Sequence, residues 1–185
     1  MYIMAMLKYY KVHPDVSNPA FATVGSACFD LKAYLGTGIF QVRGYCQNNR
    51  ECNVNIYDNK EDRYISIDPG QRLLIPTGLI FDIPRDHSVR VHARSGMALK
   101  QGLVMANAEG IIDWDYVEET HIMVCNISAE KLYIHNGERI AQGELVPVLH
   151  YGMGLTETKP QQKTKRTGGF GSTGVTGYGT TGTTT

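Results

Sequence analysis

The apolar residues of this chain come in short runs, each closed by Pro, Gly, Asn or Asp, and that spacing limits the fold more than any other feature. The runs are Tyr2 to Val12, Ile65 to Ile67, Gln71 to Leu74, Leu79 to Ile83, Ser88 to His92, His121 to Ile127, Leu132 to Ile134 and Arg139 to Val148. They are rich in Val, Ile, Leu and Tyr, which suits strands rather than helices. The turns between them have a mechanism. In Asp68-Pro69-Gly70 and Pro76-Thr77-Gly78 the proline presets one φ and the glycine supplies the next. Many short strands joined in this way predict an all-β sandwich or jelly roll. One helical turn is expected at Gly96 to Lys100, with Ser95 as its N-cap.

Two segments stand apart from this pattern. Gly36 to Arg63 is polar, carries Asn48, Asn49, Asn53, Asn55 and Asn59, and shows only a weak hairpin pattern at Cys52 to Tyr57. It reads as an excursion from the main sheet, and its length without a core of its own suggests a protruding hairpin with a partner-binding role. From Thr156 to Thr185 the chain turns to Lys, Gln, Gly and Thr and loses its hydrophobic periodicity. Such a composition cannot bury enough surface to fold alone. The expected organisation is a β-barrel domain over residues 1–155, with an insertion at about 36–63, followed by a flexible C-terminal arm over 156–185.

At 185 residues the chain has room for one domain with a real core, and 18 basic residues balance 18 acidic ones. No overall field favours nucleic acid or a membrane surface, so an anionic ligand must be held by local chemistry. The four cysteines (Cys28, Cys46, Cys52 and Cys125) include no CxxC pair, which argues against zinc and thioredoxin-like chemistry. Cys46 and Cys52 are spaced for a small disulfide loop, free thiols in a reducing cytosol being the plainer reading. The N-terminal apolar run is broken by Lys8, Lys11 and Asp15, which suits neither a signal peptide nor a membrane span. The expectation is a cytoplasmic protein.

Four constellations could carry chemistry. Ala93-Arg94-Ser95-Gly96 places an arginine, a hydroxyl and a glycine where a short helix begins, which makes either a phosphate seat or an ordinary capped helix. Gly110 to Tyr116 alternates apolar residues with Asp113 and Asp115, so the two carboxylates would share a strand face. That could hold water or magnesium near a polyphosphate, or be a solvated turn. Gly137 to Gln142 reads as a turn entering a strand with Arg139 and Gln142 as polar members. Arg166 to Gly174 combines a cation, backbone-exposing glycines, two hydroxyls and Phe170. Glycine N–H groups suit phosphate oxygens, and an aromatic face stacks a base for roughly 1–3 kcal/mol. The order is not that of a Walker A loop.

In sequence order, GSACFDLKA (Gly25 to Ala33), ARSGMALKQGL (Ala93 to Leu103), NAEGIIDWDY (Asn107 to Tyr116), GERIAQ (Gly137 to Gln142) and RTGGFGSTG (Arg166 to Gly174) resemble the motif set of the trimeric dUTP diphosphatases. The resemblance implies a jelly-roll-like β barrel assembled as a homotrimer, with active sites shared between subunits and completed by an arm. It implies hydrolysis of dUTP to dUMP and pyrophosphate with Mg2+, lowering dUTP and supplying dUMP for dTMP synthesis. Asp113 would be the general base that deprotonates the attacking water. Asp30 would contact magnesium through ordered water. Arg94, Ser95, Gly96 and Gln142 would hold the phosphates, and Arg139 would tie the site to neighbouring carboxylates. The backbone of Gly110 and Ile112, with Asn107, would read uracil, and Tyr116 would pack on the deoxyribose. Arg166, Phe170, Gly171, Ser172 and Thr173 would close over base and γ-phosphate.

Several positions depart from the family pattern. Ala93 stands where a proline is usual, and Val117-Glu118 where Tyr is usually followed by x-Gly, so Glu118 occupies a place suited to positive φ. Lys165, not Arg166, stands five places before Phe170. Two alternatives accompany the main reading: a dCTP deaminase of the same fold, and a dUTP-gated regulatory binding protein, as in phage members, that uses the 36–63 insertion.

Overall fold

The computed structural model describes residues 5–59 and 61–165. Its strands, in chain order, are β1 (Lys8–Lys11), β2 (Ala20–Phe21), β3 (Phe29–Lys32), β4 (Gln41–Tyr45), β5 (Glu51–Asn55), β6 (Tyr57–Asp58), β7 (Arg63–Ile67), β8 (Arg72–Pro76), β9 (Leu79–Asp82) and β10 (His87–Ala93). The helix α1 (Ser95–Lys100) follows, then β11 (Leu103–Met105), β12 (Glu109–Asp113), β13 (His121–Asn126), β14 (Leu132–His135) and β15 (Arg139–Pro147). The chain divides into two compact units, Met1–His150 and Tyr151–Thr185. Residues 151–165 of the second are exposed and contain neither helix nor strand.

Two five-stranded sheets carry the first unit, in the orders β12-β10-β15-β3-β2 and β11-β13-β8-β4-β5. Smaller sheets, β1-β9 and β14-β7-β6, accompany them, and every described pairing is antiparallel. The period-2 alternation seen in the sequence becomes burial. In β13, Ile122 and Val124 are buried while His121 and Met123 face outward; in β8, Leu73 and Ile75 are buried. With Val89 and Val91 of β10, Leu31 of β3 and Phe81 of β9 they form one hydrophobic core. This is the jelly-roll-like all-β architecture the sequence predicts. Both expected turns are present, with Gly70 and Gly78 each at φ 71°. The run predicted from Tyr2 yields a strand only at Lys8–Lys11, and Tyr2 itself lies outside the described residues.

The segment from 36 to 63 corrects the sequence reading. The expected hairpin is present but lies at 41–45 and 51–55 rather than at 52–57, and it is rooted in the core sheet: β4 pairs with β5 along its length and with β8 at Gly44 opposite Leu73 and Tyr45 opposite Arg72. Val42 of β4 is buried in the core. The segment looked detached because Gln41, Arg43 and Gly44 carry little strand propensity; pairing with β8 specifies the strand. A Cβ on Gly44 would sit 2.2 Å from the carbonyl oxygen of Arg72, so only glycine lets the strands meet. Gly44→Val is therefore expected to destabilise the protein by about 1–3 kcal/mol or more, because no rotamer relieves a clash with backbone. A denaturant midpoint equal to the parent's would mean that β4 is dispensable.

Tyr34 ties the first strands to the turn before β9. Its hydroxyl donates to Asp15 Oδ1 at 2.9 Å. Burial, with the charge of Asp15 added, pushes the phenol up to about 12. Burial alone would raise Asp15, but hydrogen bonds from Tyr34 and His13 outweigh it and lower the carboxyl below its usual range. The stability linked to Asp15 is thus present above the ordinary carboxylate range and lost as pH falls through the depressed value. That linked to Tyr34 is present below an ordinary tyrosine value of about 10 and lost as pH rises through the folded one. Tyr34→Phe should flatten the alkaline loss of melting temperature over that interval; an unchanged alkaline limb would contradict this assignment.

Candidate active site

The third motif builds a cavity. β12 is the outer strand of its sheet, paired with β10 alone among the described residues, with Asp113 opposite Ser88 and Glu109 opposite His92. An edge strand leaves alternate backbone N–H and C=O groups free for a ligand. Against it lies a cavity of about 270 Å³ lined by Asn107, Gly110, Ile112, Asp113 and Tyr116, with Leu74, Met105, Thr120, His121 and Met123 behind them. Drug-sized pockets run from about 300 to 1,000 Å³, so this one suits a small group such as a base with its sugar. Gly110 is buried opposite Val91, and a Cβ there would come 3.1 Å from the Val91 Cβ.

The turns at either end of β12 fix the polar groups. Before it, Ala108 takes φ 61°, and Glu109 N–H donates to the carbonyl of Asn107 at 2.7 Å. After it, Tyr116 N–H donates to the Asp113 carbonyl at 3.1 Å, and the Tyr116 hydroxyl donates to the Glu119 carbonyl at 3.1 Å. The chain turns immediately after Asp113, so Asp113 and Asp115 do not share a strand face, contrary to the alternation in the sequence. Glu118 does not take positive φ either; the left-handed residue of this region is Ala108. Glu119 instead braces the cavity wall, accepting the Gly78 N–H at 2.7 Å.

A second cluster gathers the first, second and fourth motifs. Asp30 of β3 receives Arg94 Nε on Oδ1 and Arg139 Nη1 on Oδ2, both at 3.2 Å. Arg94 Nη1 also donates to the Arg139 carbonyl at 3.1 Å. A guanidinium has more donors than these contacts use, so Arg94 retains donors for an anion. Gln142 Nε2 donates to the Ala93 carbonyl at 3.4 Å. A register shift in β15 between Arg139 and Ala141 buries Ile140 and Ala141 in succession and leaves Arg139 outside, which is how a bulge re-aims a side chain. The expected tie between Arg139 and a neighbouring carboxylate is present. Ser95 is not the N-cap: that place belongs to Arg94, at φ −84° and ψ 127°, with no side-chain cap. Ser95 and Gly96 are exposed, and a Cβ on Gly96 would meet nothing.

The two clusters stand apart in one chain. Asp113 faces Ser88 near the start of β10, while Arg94 directly follows its end. At about 3.3 Å per residue, the six steps from Ser88 to Arg94 span about 20 Å of backbone. Sequence reasoning missed Leu74, Met105, His121 and Met123, which reach the cavity from other strands, and Thr120 just before β13. Arg166, Phe170, Gly171, Ser172 and Thr173 lie outside the described residues. All four cysteines are free, and Gln71 Nε2 donates to Cys52 Sγ at 3.3 Å, so the small disulfide loop is not formed. Among the described residues no helix is long and apolar enough to cross a membrane.

Comparison with known proteins places these features. The dUTPase family model matches residues 46–174. The deoxyuridine 5'-triphosphate nucleotidohydrolase of Methylocella silvestris is 36% identical over 168 residues, covering 90% of this chain and 89% of that protein. A Staphylococcus bacteriophage 80alpha dUTPase mutant, solved with dUpNHpp, superposes with a TM-score of 0.69 at 19% identity, over 93% of this chain and all of that one. A mutant dUTPase from phage phi11 of S. aureus, whose structure details the coordination of a structural Mg(II) ion, gives 0.63 at 15% identity, over 84% and 99%. At these identities the solved structures speak for the fold.

Proposed function

The chain belongs to the dUTPase family, and from that premise we propose that it hydrolyses dUTP to dUMP and pyrophosphate through water activated by Asp113. The observation that carries the reading is the cavity on edge strand β12, with Asp113 at the strand's end. Backbone groups of Gly110 and Ile112, helped by Asn107, pair with uracil. Cytosine would leave those donors and acceptors unmatched, and burying unpaired polar groups costs far more than losing a methyl contact. Tyr116 packs on the deoxyribose and excludes a 2′-hydroxyl.

Asp113 accepts a proton from water while the water oxygen bonds to the α-phosphorus. The bond from that phosphorus to the bridging oxygen breaks, and pyrophosphate leaves with the oxygen. The proton passes from Asp113 to solvent. Arg94, Ser95, Gly96 and Gln142 hold the phosphate chain. Asp113 and Arg94 of one chain lie about 20 Å apart along β10, a separation that suits sites shared between the subunits of a homotrimer. Residues 166–174 complete each site.

Magnesium fits this arrangement indirectly. Both Asp30 oxygens already receive an arginine, but an ionised carboxylate has further lone pairs that can accept from metal-bound water. Asp30 would hold the ion in that way, and the ion, carried by the triphosphate, would offset its charge. The work belongs to the cytoplasmic nucleotide pool, lowering dUTP and supplying dUMP. A partner at the 36–63 segment would meet the outer strand β5, because β4 is committed to the core sheet.

Incubation with each dNTP and UTP plus magnesium tests the reading. dUTP alone should give rapid pyrophosphate release. Ammonia from dCTP, without pyrophosphate, would instead make the protein a deaminase.

A further inference from the structure

Two residues along the strands from Asp30, Arg94 and Gln142, three further side chains of different chemistry converge. Cys28 lies just before β3, His92 is in β10 and Glu144 in β15. Each offers one ligand atom, and these atoms all lie within 4.8 Å of one another. His92 Nε2 is 3.1 Å from Glu144 Oε1. All three residues are half-buried. Strand register explains the meeting. β10 and β15 pair with His92 opposite Gln142 and Arg90 opposite Glu144, so His92 and Glu144 lie two residues out of step on one face. On the other side of β15, Gly143 pairs with Phe29, which brings Cys28 alongside Glu144.

We propose that Cys28, His92 and Glu144 form a binding site for zinc or a closely similar divalent cation. A thiolate, an imidazole and a carboxylate are the donors of tetrahedral zinc sites, at about 2.3, 2.0–2.1 and 2.0–2.2 Å respectively. Ligand atoms around such an ion stand roughly 3.3–3.7 Å apart, so small side-chain shifts bring this set into range. Magnesium prefers oxygen ligands in an octahedron and is a poor match, which separates this site from the ion that accompanies the triphosphate.

The surroundings also suit a metal-bound histidine. His92 Nδ1 lies 3.7 Å from Glu109 Oε1, and Arg90 Nη1 holds the other Glu109 oxygen at 3.2 Å. A small closing shift would put this carboxylate on the second ring nitrogen, where it would orient a ligating imidazole and raise its basicity. Cys28 would ligate as the thiolate, so metal uptake releases its proton. Three protein ligands leave one position for water or another small ligand. No CxxC spacing signals this site, because its members come from three separate strands or their flanks.

The full-length protein, stripped with chelator and dialysed against zinc in excess magnesium, should retain one zinc per chain. Its cobalt form should show a thiolate-to-cobalt charge-transfer band and the strong visible absorption of a tetrahedral site. Cys28→Ser should remove the charge-transfer band, and Glu109→Gln should weaken zinc binding on the order of 10–100-fold. Absence of retained zinc, a cobalt spectrum of the parent lacking the thiolate band, or one zinc per three chains would each overturn the assignment. Because those readouts use the unaltered protein, a variant that misfolds does not blunt the test.

Discussion

Asp113→Asn should bind a non-hydrolysable dUTP analogue with a Kd close to the parent's and turn over dUTP about 10²–10⁴-fold more slowly. Asparagine keeps the shape of the side chain and can still hold water by a hydrogen bond. It cannot take the proton. Asp113 is exposed at the end of β12, so the exchange removes no core packing. Asp115 offers no rescue, because the turn closed by Tyr116 N–H and the Asp113 carbonyl leaves it off the strand. Calorimetry would give the Kd and pyrophosphate release the kcat. A parallel fall in affinity and turnover would make Asp113 a binding residue, and near-parent turnover would remove it from the mechanism.

Ending the chain at Lys165 should lower kcat on the order of 10²-fold or more while leaving the melting temperature of the nucleotide-free protein unchanged. Among the described residues the core cluster runs from Val16 to Ala141. The motif from Arg166 to Gly174 would instead act on bound nucleotide, with glycine N–H groups and hydroxyls on the phosphates and Phe170 over the base. A large drop in melting temperature without nucleotide would show that these residues hold the barrel together. Lys165→Ala and Arg166→Ala, compared in the intact chain, would show which cation meets the γ-phosphate.

The fold was legible where one period governs a whole strand. His121 to Asn126 became a paired strand with alternating burial, and the short apolar run at Leu73 to Ile75 became the centre of another. β3 and β4 were harder to see. β3 has four residues, two of them charged, and β4 contains a glycine; tertiary pairing places both. The site was legible as motifs but not as geometry. Asn107, Gly110, Ile112, Asp113 and Tyr116 do line one cavity, yet the face shared by Asp113 and Asp115 dissolved into a turn. Ser95 looked like a cap by residue type, whereas the backbone places Arg94 there. Thr120, His121 and Met123 carried no motif. They reach the cavity because β13 and its approach pack beside β12, and sequence spacing cannot report that contact. Cys28, His92 and Glu144 show the same limit: separately they are unremarkable residues, and only strand register joins them.

Hydrolysis of dUTP in ¹⁸O-labelled water, with mass analysis of both products, tests the central claim most directly. Attack at the α-phosphorus by water held on Asp113 puts the label in dUMP and leaves pyrophosphate unlabelled. Label in pyrophosphate, with unlabelled dUMP, would mean attack at the β-phosphorus and would contradict the role given to Asp113 and to the phosphate-holding residues around Arg94.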